Sequence, residues 1–144
     1  MPAYYVDSSA LVKRYIREAG SRWVAGVIGD AANDLYVSRL AGVEVAATLV
    51  CRTEPGAGAR QLKRFRTDFA SSYIVINVTA RHFDLSMDLA VKHRLRGADA
   101  LQLAVALDTA QVAQTPLVFV AADLELLTAA SDEGFAVDNP NEHP

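Results

Sequence analysis

The sequence contains few of the features that would place it outside the cell or in a membrane. It has one cysteine, Cys51, so no disulfide can form within the chain. Chains without disulfides are typical of reducing compartments. No apolar run approaches the roughly 20 residues that span a bilayer. We therefore expect a cytoplasmic protein with no membrane partner.

Soft metal ligands are equally scarce. The three histidines are His82, His93 and His143, and neither they nor Cys51 stand at the spacing of a zinc site. A metal ion would therefore be held by oxygen ligands, which suit Mg²⁺ or Mn²⁺.

Basic residues are missing from the last third of the chain. All 14 Lys and Arg lie at or before Arg96, where nine acids accompany them and leave a net charge of +5. From Gly97 onward eight acids stand without a base, which gives −8. The overall charge of −3 argues against a nucleic-acid partner. A basic front and an acidic back would nevertheless suit a protein that holds both a polyanion and a metal ion, and a chance distribution of surface charge is the alternative.

Residues 1–144 are long enough for a single domain with a core, and no repeat or linker divides them. Short β-prone segments alternate with helical ones, which predicts an α/β sandwich with a mainly parallel sheet. The predicted strands are 3–6, 35–37, 73–78, 117–120 and 135–137. The predicted helices begin at Ser8–Ser9, at a cap on Ser21, at Ser38, at Arg60 after a break over 55–58, at Thr79, at Asp99 and near Leu124.

Three aspartates stand where such folds place their chemistry. Asp7 and Asp123 follow apolar strands, and Asp99 lies at the start of a helix. Ligands bind at the carboxyl edge of an open parallel sheet. Asp is also a preferred helix N-cap, so capping explains each of the three when it is taken alone.

Glu44 is the single charged residue in the apolar stretch 40–50, which predicts a helix buried nearly all round. A buried carboxylate keeps its charge only beside a cation, and a metal ion shared with the three aspartates would serve. The alternative is a narrow solvent-facing stripe that Glu44 shares with Ala41 and Thr48.

A divalent cation held by carboxylates activates water and stabilises charge on a phosphate, so phosphodiester hydrolysis fits this acidic set. Arg96 lies three residues before Asp99 and is the best candidate for a substrate contact. Gln102, one helical turn after Asp99, and Ser8 complete the predicted substrate side, and the alternative for Gln102 is an ordinary surface glutamine. Two basic clusters are candidates for a phosphate track, or are ordinary solvated faces: Arg60, Lys63, Arg64 and Arg66, and Lys92, Arg94 and Arg96 beside His93.

Four segments together resemble the PIN-domain family, the group that contains the VapC-type toxins of toxin–antitoxin pairs. They are YVDSSALVKRY at 5–15, Glu44 in its apolar helix, RGADALQLA at 96–104, and FVAADLELL at 119–127 followed by Gly134 and Asn139-Pro140. The resemblance spans nearly the whole chain.

This resemblance implies a three-layer α/β/α fold, Mg²⁺- or Mn²⁺-dependent endoribonuclease activity on RNA, a homodimer, and a cognate antitoxin that blocks the site. It implies an acidic site formed by Asp7, Glu44, Asp99 and Asp123. Many relatives carry Ser or Thr just before the last acid, where this chain has Ala121 and Ala122, and many carry His at the position of Gln102. A stand-alone RNA-processing PIN nuclease and a catalytically idle PIN scaffold that binds RNA or protein are the alternatives.

Two other folds with acidic pockets fit less well. A phosphoacceptor receiver domain needs adjacent acids after its first strand and an Asp at the end of its third, but Ser8 follows Asp7 and the third strand ends at 76–78 with Ile-Asn-Val. A phosphatase of the haloacid dehalogenase type needs an Asp two residues after Asp7, where Ser9 stands.

Overall fold

The computed structural model describes residues 2–144, in which helices and strands alternate. The strands are β1 (Ala3–Val6), β2 (Asp34–Ser38), β3 (Ile74–Ile76), β4 (Val118–Val120) and β5 (Ala136–Asp138). The helices are α1 (Ser8–Leu11), α2 (Ser21–Gly29), α3 (Arg39–Arg52), α4 (Pro55–Ser71), α5 (Ala80–His93), α6 (Gly97–Ala113) and α7 (Leu124–Asp132), with 3₁₀ turns at Val12–Arg14 and Pro140–Glu142. None of the helices described for this range is long and apolar enough to cross a membrane.

The strands form one parallel sheet in the order β3-β2-β1-β4-β5, which confirms the predicted α/β fold class. The chain first extends the sheet from β1 to β3 on one side and then crosses to β4 and β5 on the other. The strand order therefore reverses between β1 and β4. Open α/β sheets bind their ligands at such a reversal, beyond the carboxyl ends of the strands.

Apolar side chains cover both faces of the sheet, because successive residues of a strand point to opposite sides. In β1, Tyr5 packs into the core shared with α5, α6 and α7, whereas Val6 packs into the core shared with α1 to α4. The sheet thus lies between two helical layers, in the three-layer α/β/α arrangement that the family resemblance implied. The site-bearing ends of β1 and β4 lie at its centre.

Helix α4 begins at Pro55, although the sequence predicted a break over 55–58 and a helix only from Arg60. Proline is favoured in the first helical turn, because the N–H groups there form no hydrogen bond within the helix and the N–H that proline lacks is not needed. A Cβ added to Gly58 would lie 2.6 Å from the hydroxyl oxygen of Thr53, so glycine allows the close packing here. Proline and glycine therefore act in this segment as helix-start and packing residues.

Other helix starts also differ by a few residues from the prediction. Helix α2 follows Gly20, which has a left-handed φ of 84° and would bring a Cβ to 2.3 Å from the carbonyl oxygen of Pro140. Ser21, the predicted cap, instead accepts a hydrogen bond from the backbone N–H of Glu18. Helix α6 begins at Gly97, so Asp99 lies inside its first turn. Helix α1 is shorter than its apolar pattern predicted and passes into the first 3₁₀ turn.

The prediction that α3 is buried nearly all round is wrong. Ala41, Val45 and Leu49 are buried, but Val43 is 66% and Val50 63% exposed. The apolar stripe on the exposed side faces a groove beside α4. An apolar residue in a helix can line such a groove as readily as a core, and hydrophobic patterning does not distinguish the two.

Candidate active site

The four predicted acids come from four different elements. Asp7 directly follows β1, and Asp123 lies between β4 and α7. Glu44 lies on α3, and Asp99 in the first turn of α6. Both helices belong to the layers that flank the reversal between β1 and β4.

Asp7 is almost fully buried and uses one oxygen to cap α1. Its Oδ2 accepts hydrogen bonds from the backbone N–H and the hydroxyl of Ser9, at 3.1 and 2.6 Å. No donor within residues 2–144 reaches its Oδ1. Burial, opposed by the Ser9 hydrogen bonds and reinforced by the charges of Glu44 and Asp99, raises the pKa of Asp7 to about 6. Capping and ligand binding are therefore compatible in Asp7, since they use different oxygens.

Asp99 lies in the same field of negative charge. Burial raises its pKa, the charges of Asp123 and Glu44 raise it further, and the nearby Arg96 opposes them. Asp7 and Asp99 thus both lie in the field of neighbouring carboxylates. A divalent cation would relieve the repulsion between them.

Glu44 is partly buried and is held through one oxygen. Its Oε1 accepts hydrogen bonds from the hydroxyl of Ser8 at 3.1 Å and from the amide Nε2 of Gln102 at 2.9 Å. Ala41 is buried on another side of α3, so the three-residue solvent stripe considered for Glu44 does not exist. Ser8, predicted on the substrate side, directs its hydroxyl at Glu44.

The sequence predicted Gln102 on the substrate side, but the structure corrects this. The side chain is only 1% exposed, so a substrate cannot reach it. Its carbonyl oxygen accepts hydrogen bonds from the hydroxyls of Tyr5 at 2.7 Å and Ser38 at 2.9 Å, while its amide donates to Glu44. The sequence reasoning missed Tyr5 in this role. The alternation of β1 predicts that the side chain of Tyr5 points into the core. It does not predict which residue its hydroxyl will contact, because that partner is brought there by tertiary packing.

Ser9 is the second residue that sequence reasoning missed. Its hydroxyl donates to Asp7 and accepts from the backbone N–H of Ala122 at 2.9 Å, so it ties the end of β1 to the loop that carries Asp123. Asp123 caps α7 by accepting from the N–H of Leu126 at 3.1 Å. Ser9 therefore supplies a hydroxyl next to a loop whose own residues before Asp123 are alanines.

The predicted basic clusters differ in how much of their charge is free. In the second cluster, Lys92 and His93 both bind Glu133, the residue directly after α7, at 2.7 and 2.6 Å. Arg94 and Arg96 are exposed and form no ion pair within residues 2–144. A phosphate track at this end therefore reduces to these two arginines. The first cluster, Arg60, Lys63, Arg64 and Arg66, is exposed along α4.

Carboxylate oxygens dominate the site, and this donor set fits Mg²⁺ or Mn²⁺. In the described part of the chain, however, no three Asp, Glu, His or Cys side chains are placed to hold an ion between them. The predicted centre of Asp7, Glu44 and Asp99 is therefore not preformed. Mg²⁺ commonly takes only one or two carboxylates together with water and substrate phosphate oxygens. The open arrangement fits that mode of binding.

Comparisons with known proteins identify the family of the chain. The family model of the PIN domain matches residues 4–129. Ribonuclease VapC45 of Mycobacterium tuberculosis (strain CDC 1551 / Oshkosh) is 34% identical over 141 residues, which are 95% of each chain. The chain belongs to the PIN-domain family, in the group of the VapC ribonucleases.

Solved structures share the fold at low sequence identity. Mycobacterium tuberculosis VapC20, described as a toxin that cleaves the sarcin-ricin loop, superposes with a TM-score of 0.69 at 18% identity, over 92% of this chain and 95% of that one. A toxin–antitoxin complex from Klebsiella pneumoniae superposes with a TM-score of 0.62 at 18% identity, over 95% of this chain and 97% of that one.

Proposed function

We propose that this chain is a VapC-type endoribonuclease that hydrolyses RNA with Mg²⁺ or Mn²⁺, held by carboxylates of the set Asp7, Glu44 and Asp99 together with water and substrate phosphate oxygens, and with Asp123 at the outer edge. The observation that carries the proposal is that four elements bring carboxylates to the reversal of strand order, where Asp7 and Asp99 both lie in the field of neighbouring acids. Burial and the neighbouring carboxylates raise the pKa of both Asp7 and Asp99, which is the condition that a bound cation would relieve.

The residues of the site divide into those that hold the cation and those that hold the RNA. Asp7 and Glu44 each offer the one oxygen that accepts no protein hydrogen bond. When bound, a divalent cation activates a water molecule and stabilises the charge that develops on the phosphate. Arg96, exposed beside Asp99, binds a backbone phosphate and orients the strand across the acids.

The test of the assignment is RNA cleavage by Asp99→Asn beside the matched control Asp132→Asn, an exposed acid of α7. Even residues that merely support metal ligands change metal affinity or activity by about 10- to 100-fold. We therefore expect Asp99→Asn to lose at least about 100-fold in cleavage rate and to keep its melting temperature. A normal rate with a lowered melting temperature would mean that Asp99 is structural, and the idle-scaffold alternative would follow if the wild type also fails to cleave.

The partner we propose is an antitoxin that binds the groove between α3 and α4. The groove has a volume of about 1010 Å³ and an apolar wall, to which Val43, Ala47, Val50, Leu62, Phe65 and Phe69 contribute. An amphipathic helix places its apolar face in such a groove. Arg39 and Arg66 at the groove favour acidic residues on the flanks of that helix. The absence of any such partner in the cell would favour a stand-alone RNA-processing nuclease.

The antitoxin also blocks the acidic site in this proposal. Without metal, the four carboxylates create a strong negative potential. An arginine beside the bound helix matches two carboxylate oxygens and would take the place of the cation. Excess Mn²⁺ should then weaken the complex.

The second proposed partner is another copy of the chain, bound through α5. Phe83, Met87 and Val91 follow one another at four-residue spacing and are 55%, 63% and 82% exposed. This spacing places them on one side of the helix. A continuous apolar stripe of this kind on a water-exposed helix marks an interaction surface, and a two-fold contact would bury it against its own copy.

A further inference from the structure

Gln102 is buried beside Glu44, and its side-chain amide forms hydrogen bonds through both its oxygen and its nitrogen. Its Oε1 accepts from Tyr5 and Ser38, and its Nε2 donates to Oε1 of Glu44 at 2.9 Å. If the amide group of Gln102 were flipped, its carbonyl oxygen would face the carboxylate of Glu44. Both atoms are acceptors, so they could not form a hydrogen bond. The observed orientation is therefore set by the chemistry of the neighbours.

The far side of this amide is itself fixed. The hydroxyl oxygen of Ser38 caps α3 by accepting from the N–H of Ala41 at 3.0 Å, which leaves its proton for Gln102. Tyr5 is fully buried and stacks on Phe119 with ring centroids 5.4 Å apart, so its ring is held in place and its hydroxyl stays beside Gln102. Gln102 is thus held by one residue of β1 and one of β2, and its amide in turn holds the carboxylate of Glu44.

Both donors to Glu44 converge on the same oxygen. The hydroxyl of Ser8 and the amide of Gln102 bind Oε1, and within residues 2–144 no donor reaches Oε2. Glu44 can therefore offer a cation one unencumbered oxygen. Ca²⁺ takes six to eight oxygen ligands and often binds a carboxylate through both oxygens, whereas Mg²⁺ takes six ligands in a strict octahedron.

We infer that Gln102, with Ser8, is a positioning residue that holds Glu44 as a one-oxygen ligand and so makes the site select small six-coordinate cations over Ca²⁺. The inference rests on the proposed function, because it assigns the selectivity of the same metal site. It does not make Gln102 a substrate contact.

The experiment measures binding of Mn²⁺ and of Ca²⁺ by calorimetry to the full chain without RNA. Gln102→Met keeps the length of the side chain and removes its hydrogen bonds. We expect it to weaken Mn²⁺ binding by about tenfold, the lower end for supporting residues of metal sites, and to change Ca²⁺ binding much less. Gln102→His keeps one donor and one acceptor and should restore the preference for Mn²⁺. The matched control is Gln111→Met, an exposed glutamine of the same helix, which should bind as the wild type does.

Tyr5→Phe and Ser8→Ala provide two further readings that do not depend on the folding of Gln102→Met. Each removes one hydrogen bond of the network, and each should lower the ratio of Mn²⁺ to Ca²⁺ affinity in the same direction by a smaller factor. Unchanged ratios in Tyr5→Phe, Ser8→Ala and any folded Gln102 variant would overturn the inference and leave the metal site intact. A wild-type chain that binds neither ion would overturn the proposed metal site as well.

Discussion

In Asp7, helix capping and the proposed cation binding use different oxygens of one carboxylate. Oδ2 caps α1 through Ser9, and Oδ1 is left for a ligand. The sequence alone offered capping and metal binding as competing explanations of this residue. The structure allows both, and because burial and the neighbouring carboxylates raise the pKa of Asp7, we expect the charged form to cost stability when no cation is bound.

Asp7→Asn should stabilise the metal-free protein at neutral pH. Burial and the charges of Glu44 and Asp99 raise the pKa of Asp7 to about 6 in the folded chain, from 3.8. The folded state therefore binds this proton more tightly than the unfolded state, so the free energy of unfolding falls as the pH rises between these two values and stays low above them. Asn caps a helix as well as Asp does, and it removes this cost.

We expect Asp7→Asn to gain up to about 3 kcal/mol over the wild type at neutral pH and to gain nothing once the pH lies below the unfolded-state pKa. Thermal unfolding in EDTA across this range measures the difference. A variant that is less stable than the wild type at neutral pH would show that Asp7 is chiefly a structural cap.

At the scale of elements, α3 carries the two proposed functions on different sides. Glu44 projects towards the acids, while Val43 and Val50 line the groove against α4. The sequence predicted the element and the carboxylate but not the groove, because apolar residues of a core and of a docking surface follow the same pattern. Similarly, the sequence predicts too late a start for α4, because Pro55 and Gly58 resemble breaks, whereas the structure includes both in the helix.

Val50→Asp should weaken the antitoxin complex by at least about tenfold, since it places a desolvated charge on the apolar wall of the groove. RNA cleavage by the free enzyme should not change, because Val50 lines the groove, to which none of the four acids contributes. The control is Val112→Asp on α6, another exposed valine that does not line the groove. Binding of the co-expressed partner, measured by titration, checks this. Equal losses in both variants would contradict the groove assignment.

Met87→Glu should turn the proposed dimer into a monomer, because two copies of the charge would face each other across the two-fold contact. Sedimentation of the wild type and the variant at matched concentrations measures the change in mass, with Val112→Glu as the control. A wild type that sediments as a monomer, or a Met87→Glu variant that remains a dimer, would exclude α5 as the contact.

At the scale of the whole molecule, the acidic site joins the two halves of the charge pattern. Asp7 and Glu44 come from the basic front of the chain, and Asp99 and Asp123 from the acidic back. The sequence predicted these four acids because apolar strands and one apolar helix mark their positions. Their support by Ser9, Gln102 and Tyr5 depends on contacts between residues up to 113 positions apart, which no local pattern encodes.

The central claim is that the acids act through a divalent cation on RNA. Its most direct test is the cleavage of RNA by the purified chain, first stripped of metal with EDTA and then supplied with Mn²⁺ or Mg²⁺. The account predicts no cleavage in EDTA and recovery with either ion in the wild type, with no recovery in Asp99→Asn. Cleavage that continues undiminished in EDTA, or that Asp99→Asn performs as well as the wild type, would contradict it.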